Sequence, residues 1–177
     1  MDGATPVEFA RPIEVSRLTR DEQRFDIAAN PAERVALAKR FELPALDRLN
    51  AVVHIGRIPG GLIRLRAEIF AEVTQSCVVT LEPVMSRVDE SFALLYGDDE
   101  EAREVVLEGE GEPVEPIAAG IIDIGEAVAQ QLSLALDPFP HAPGAVAPHA
   151  AAGAATLHPD SPFAVLARLR NKNDSKD

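Results

Sequence analysis

From Ile63 to Val73 apolar and polar residues alternate. Ile63, Leu65, Ala67, Ile69, Ala71 and Val73 occupy odd positions, while Arg64, Arg66, Glu68, Glu72 and Thr74 occupy even ones, with Phe70 the one exception. A period of two is the signature of a strand with one dry face and one wet face. The preceding run places Leu49, Ala51, Val53 and Ile55 on odd positions as well. For both sets to share a face of one hairpin, the loop must hold an odd number of residues, and Pro59-Gly60-Gly61 supplies three, with glycine available for a left-handed position. This register predicts Ile55 opposite Leu65, Val53 opposite Ala67 and His54 opposite Arg66. A slip of one residue would turn the whole apolar set outward.

Other elements are shorter. The stretches "EVSRL" and "RFDIA" predict strands joined by "TRDEQ". Asn30-Pro31-Ala32-Glu33 predicts a helix start, with Asn30 capping, Pro31 at a position that needs no N–H, and Glu33 reaching back. That helix runs to about Phe41, before Leu43-Pro44. "SRVDESFALLY" predicts another strand with Val88, Phe92, Leu94 and Tyr96 in phase, and short strands are expected near Val105–Leu107 and Val114. Asp123 and Glu126 then form a capping pair for a helix whose stripe is Ile124, Val128, Leu132 and Ala135, with Leu136 beside it; Asp137-Pro138 stops it.

These elements predict an α+β fold: an antiparallel sheet, since the connections are short for parallel crossovers, packed by two or three helices, with a flexible C-terminal tail. Residues 1–137 form the folded domain. Residues 138–160 hold five Pro, two Gly and eight Ala with no packing period, and are expected to act as a linker. Residues 161–177 predict a short amphipathic helix and basic tail, with Ser161 as cap and Phe163, Val165, Leu166 and Leu169 as its apolar side. A helix this short is marginal in water, so it docks on its own domain, enters a partner's groove, or frays.

Charge adds a second layer. The net charge is −12, and residues 1–81 contribute nothing to it, with 11 acidic and 11 basic groups. Residues 82–126 hold 14 acidic groups against Arg87 and Arg103, so the whole imbalance sits there. Such a block is either a solvated loop or a surface that repels phosphate backbones and attracts basic partners. The N-terminus has no apolar stretch behind a basic start, and no apolar run reaches membrane length, so the cytoplasm is the expected location.

Candidate chemistry is sparse. Cys77 is in phase with Leu65 and Val73, which predicts a small buried strand residue; no second thiol stands nearby for a zinc knuckle. His54 faces Arg66, and His141, His149 and His158 lie in the expected linker. The run Asp98-Asp99-Glu100-Glu101 lacks the alternation of a calcium loop, and "IPGGLIR" lacks the lysine of a phosphate-cradling one. No catalytic residue, cofactor or metal site is predicted. Arg64 and Arg66, with His54, form a small cationic strip that either pairs with Glu68 and its neighbours or contacts RNA phosphates.

Three stretches in order, "QSCVVTLEPV" (75–84), "GIIDIGEAVAQQLSLALDPFP" (120–140) and "SPFAVLARLR" (161–170), resemble the YceD family of bacterial and plastid proteins associated with accumulation of large-subunit ribosomal RNA. Many members carry a C-x-x-C pair where this chain has "CVVT", so Thr80 stands in place of a second cysteine. The resemblance implies a link to ribosome biogenesis, and with no catalytic motif in the residues the expectation is a non-enzymatic factor. On the charge reading, the acidic block (Glu108, Glu110, Glu112, Glu115) binds a basic large-subunit ribosomal protein or a ribosome precursor. The terminal helix (Phe163, Leu166, Leu169, with Arg168) recruits a second partner. The alternative is direct ribosomal RNA binding through Arg64 and Arg66. A nuclease using paired carboxylates is a third reading, disfavoured because those acids fall in an expected loop.

Overall fold

A computed structural model describes residues 8–97 and 114–146. The elements run β1 (Pro12–Glu14), a 3-10 turn (Val15–Arg17), β2 (Gln23–Ala28), α1 (Pro31–Arg40), β3 (Ala45–Arg57), β4 (Ile63–Ser76), β5 (Pro83–Gly97), β6 (Val114–Pro116), β7 (Ile121–Asp123) and α2 (Ile124–Ala135). The architecture is α+β. A five-stranded sheet of order β2-β3-β4-β5-β6 carries most of the chain, and β1 and β7 form a separate antiparallel pair. The strand expected near Val105–Leu107, the 147–160 part of the linker and the C-terminal helix lie outside the described residues.

The central hairpin has the register that the alternation predicts. Ile55 pairs with Leu65, Val53 with Ala67 and His54 with Arg66. Ile58 N–H donates to the Leu62 carbonyl at 2.9 Å, leaving Pro59-Gly60-Gly61 as the tip, with Gly60 and Gly61 at φ +91° and +87°. The odd-numbered face is dry: Val53, Ile55, Ile63, Leu65 and Ile69 have no solvent-exposed area. The helix α2 lays Ile124, Val128 and Leu132 on this layer, and Leu37 of α1 joins it. Phe70 remains on the wet face, 39% exposed.

Helix α1 starts as expected. Asn30 Oδ1 accepts from Glu33 N–H at 3.0 Å, and Glu33 Oε2 accepts from Asn30 N–H at 2.8 Å, a reciprocal capping box. The same Glu33 takes both arms of the Arg11 guanidinium, at 2.9 and 3.0 Å, and that hydrogen bonding holds its carboxyl below the ordinary range.

Four expectations need correction. First, "EVSRL" is not a strand: Val15–Arg17 forms a 3-10 turn, because tertiary partners capture its polar groups. Val15 N–H donates to Gly120 O, and Arg57 donates to the Val15 and Leu18 carbonyls. Second, the sheet is antiparallel except at its edge, where β6 runs parallel to β5, Leu95 beside Val114 and Tyr96 beside Glu115. The connection at 98–113 is long enough for that crossover.

Third, the Asp123–Glu126 pair is not reciprocal. Asp123 Oδ1 accepts from Gly125 and Glu126 N–H, at 3.0 and 3.1 Å, and also from Arg11 N–H at 2.7 Å. Glu126 instead grips Arg40 of α1 at 2.7 and 2.9 Å, and Arg40 reaches Glu8 at 3.1 Å. Hydrogen bonds from Arg40 hold the Glu126 carboxyl below its ordinary value. A charged partner on another helix outcompetes the local cap. Fourth, Cys77 is buried but lies past the end of β4, in the turn to β5.

Candidate functional site

Two regions hold the residues singled out from sequence. In the first, Glu115 sits on β6 beside Tyr96. Tyr96 is 7% exposed; burial foremost, then the charge and hydrogen bond of Glu115, raise its phenol well above the ordinary value. Ile117 N–H donates to Gly97 O at 3.2 Å, so the chain rejoins β5 where β5 ended. Gly97 and Val114, the described residues on either side of 98–113, thus lie at one corner of the sheet. Glu108, Glu110 and Glu112 lie outside the described residues, as do Phe163, Leu166, Arg168 and Leu169.

The wet sheet face holds Arg64 and Arg66. Arg64 is exposed between Gly56 and Leu95. Arg66 Nη2 lies 2.6 Å from a Glu22 oxygen, and His54 Nδ1 stands 3.6 Å from the same carboxylate. Glu22 lies just before β2, two strands away, and not on β4 where Glu68 was the expected partner; spacing along a strand carries no sign of it. Arg66, His54 and Glu22 line an open groove of about 540 Å³ together with Glu68, Ser91 and Phe92; Arg64 does not line it. Its cation is matched by an anion at its rim.

The turn from β4 to β5 forms a third region. Cys77 N–H donates to Glu82 O at 2.8 Å, and Leu81 N–H to Cys77 O at 3.0 Å. The thiol sulfur accepts from Val79 and Thr80 N–H, both at 3.4 Å. Val78 N–H donates to Pro140 O at 2.9 Å, and Gln75 Nε2 to Asp137 O at 2.8 Å. Pro140 and Ala142 are buried, so the start of the proline-rich stretch lies against this turn. Leu81 adopts φ +62° with 78% of its surface exposed, and Val78 in the same turn and Phe139, next to Pro140, are exposed as well.

The thiol is drawn down to about 6, first by the Thr80 hydroxyl, then by the Ala142 backbone N–H, against the cost of desolvation, with Thr80 and Val79 N–H adding to the effect. Cys77 has no exposed area, but four hydrogen-bond donors converge on its sulfur. Lost solvent therefore costs the thiolate less than the donors return. A folded value below the ordinary 9.0 means that deprotonation favours the folded state. The contribution is complete above pH 9.0 and is lost as pH falls through about 6. The melting-temperature difference between wild type and Cys77→Ser is expected to grow from about pH 6 to pH 9.0 and to stay flat outside that window. A difference independent of pH across this window contradicts the thiolate assignment.

Two of the stretches quoted from the sequence, 75–84 and 120–140, therefore meet through hydrogen bonds in one place. The family model described as "Large ribosomal RNA subunit accumulation protein YceD" matches residues 65–170 of the 177. The chain belongs to the YceD family. No curated protein and no solved structure matches it. The YceD match opens in β4 and takes in the thiol turn, the acidic connection, α2 and most of the C-terminal segment; β1 to β3 and α1 precede it. Membership carries a role in accumulation of large-subunit ribosomal RNA. Among the described residues, no helix is long and apolar enough to cross a membrane, and no group of three or more His, Cys, Asp or Glu is placed to hold a metal.

Proposed function

We propose that this YceD family member supports large-subunit ribosomal RNA accumulation without catalysis, by holding a basic ribosomal protein or precursor on its acidic connection in the cytoplasm. The supporting observation is the placement of charge. Residues 98–113 carry eight carboxylates and Arg103, and the residues that flank them, Gly97 and Val114, lie at one corner of the sheet. At physiological salt, fields decay over about 8 Å, so carboxylates crowded into one short segment act on a partner together. A basic ribosomal protein offers the complementary field and gains shielding from premature contact with RNA.

In this reading residues 1–137 form the acidic body, 138–160 the tether, whose first residues through Ala142 lie against the thiol turn, and 161–177 a second contact through Phe163, Leu166 and Leu169, with Arg168 at its rim. The pairing of Arg66 with Glu22 favours this over direct RNA contact by Arg64 and Arg66, since a phosphate must first displace a carboxylate at 2.6 Å.

Titration of the purified chain with individual large-subunit ribosomal proteins tests it. Replacing Glu108, Glu110, Glu112 and Glu115 with Gln is expected to weaken binding by about tenfold or more and to flatten its salt dependence. Tight binding that ignores this change refutes the acidic mechanism. RNA binding lost on changing Arg64 and Arg66 to Ala would install the alternative.

A further inference from the structure

Strand β5 pairs with β4 along its whole length, from Ser76–Pro83 to Ile63–Tyr96. On its other side β6 covers only Leu95–Gly97. Among the described residues, no strand pairs with Pro83–Leu94 on that side. An open edge of this length is a template for another strand, and proteins usually blunt such edges with charges or prolines. The charges here are arranged differently.

We infer that β5 pairs antiparallel with β5 of a second copy of this chain, about a two-fold axis at Val88, to make one continuous sheet across the dimer. Three observations select this occupant and register. A two-fold axis perpendicular to a sheet keeps side chains on their own faces, so residues of equal parity must face each other. The free window is bounded by the turn at Glu82 and by β6 at Leu95, so an axis at its middle falls on Val88 or Asp89, and charge selects Val88.

Centred there, Arg87 falls opposite the second copy's Asp89, and Asp89 opposite its Arg87. Opposite charges directly across an antiparallel pair attract, and the symmetry makes the pair twice. Arg87 already leans toward Glu72 at 3.4 Å with 86% of its side chain exposed, so it stands between two carboxylates in one row. A register centred on Asp89 would instead set that acid against its own copy.

On the core face the same register continues the apolar layer. Val88, 9% exposed, meets its own copy at the axis, and half-buried Val84 meets half-buried Phe92. Ser86 falls opposite Glu90, which leaves no like charges directly opposed. Gly97 lies nine residues from the axis, roughly 30 Å at 3.4 Å per residue. The acidic connections then begin at opposite ends of the joined sheet, and each takes its own basic segment.

Sedimentation velocity of the full chain, from micromolar to submillimolar, tests the inference independently of any partner. Wild type is expected to populate a dimer. Arg87→Asp and Asp89→Arg, each alone, place like charges opposite twice and should weaken the dimer by about tenfold or more. Combined, they restore the complementary pattern and the dimer with it. Melting temperatures of the variants check that each chain still folds, and hydrogen exchange reads the outward amides of Pro83–Leu94, which should gain protection as concentration rises. A chain that stays monomeric, a dimer indifferent to the single changes, or a double variant that fails to recover would each overturn it. Edge amides protected equally at every concentration would mean that this chain covers its own edge, and would also overturn it.

Discussion

Gly125→Ala is expected to destabilise the fold by about 3 kcal/mol. A Cβ at Gly125 would stand 2.0 Å from the Phe9 carbonyl oxygen and 3.1 Å from Arg11 N. Those atoms are backbone, and they are tied down: Arg11 N–H donates to Asp123 Oδ1 at 2.7 Å, and Ile124 N–H to Arg11 O at 3.2 Å. Phe9, with no exposed area, anchors the same segment in the core. Helix propensity argues the other way, since alanine in place of glycine within a helix is worth about 1 kcal/mol of stability. The sign therefore separates the two effects. Denaturant unfolding of the variant should show a lower midpoint with an unchanged slope. A variant as stable as wild type, or more so, would mean that the N-terminal segment does not lie against α2 in this way.

Ile69→Ala is expected to cost about 3 kcal/mol, while Phe70→Ala, which removes a larger side chain one residue further on, costs about 1 kcal/mol. Ile69 is fully buried between Ala51 and Glu90 on the neighbouring strands, beneath the layer that α2 joins. Its truncation leaves a cavity in addition to the lost transfer energy. Phe70 lies between Asn50 and Asp89 on the wet face, 39% exposed, and its truncation opens only to solvent. The two unfolding free energies, measured side by side, report which face of β4 is the core. Equal losses would require a cover over the wet face.

Much of this arrangement was legible in the residues because it is local or periodic. Side chains on a strand alternate by geometry, so the β3–β4 register follows from the parity of two apolar runs and a three-residue tip. The Asn30–Glu33 box and the Asp123 cap follow from spacing along a single helix turn. The thiol turn was half legible. Phase correctly implied that Cys77 is buried, but continuing the phase past Ser76 overextended the strand. The left-handed Leu81 and the return of Pro140 over the turn have no local signal.

The sites argued from charge were less accessible. Composition located the −12 imbalance within residues 82–126. It did not reveal that Arg66 is answered by Glu22, or that Glu126 serves Arg40 and not its own helix end. Long cationic side chains sample several partners, and the nearest carboxylate depends on which strand or helix lies alongside.

The amino-acid order alone determined membership of an ordered family pattern, the α+β class, the dry face of the hairpin and where the negative charge resides. These depend on period, volume and sign, which each segment carries with it. Tertiary structure decided the parallel seating of β6, its short reach of three residues along β5, the capture of "EVSRL" by Arg57 and Gly120, and the need for glycine at 125. Each of these is a meeting between residues far apart in the chain, and such a meeting acquires an energy only when packing has brought both parties within reach.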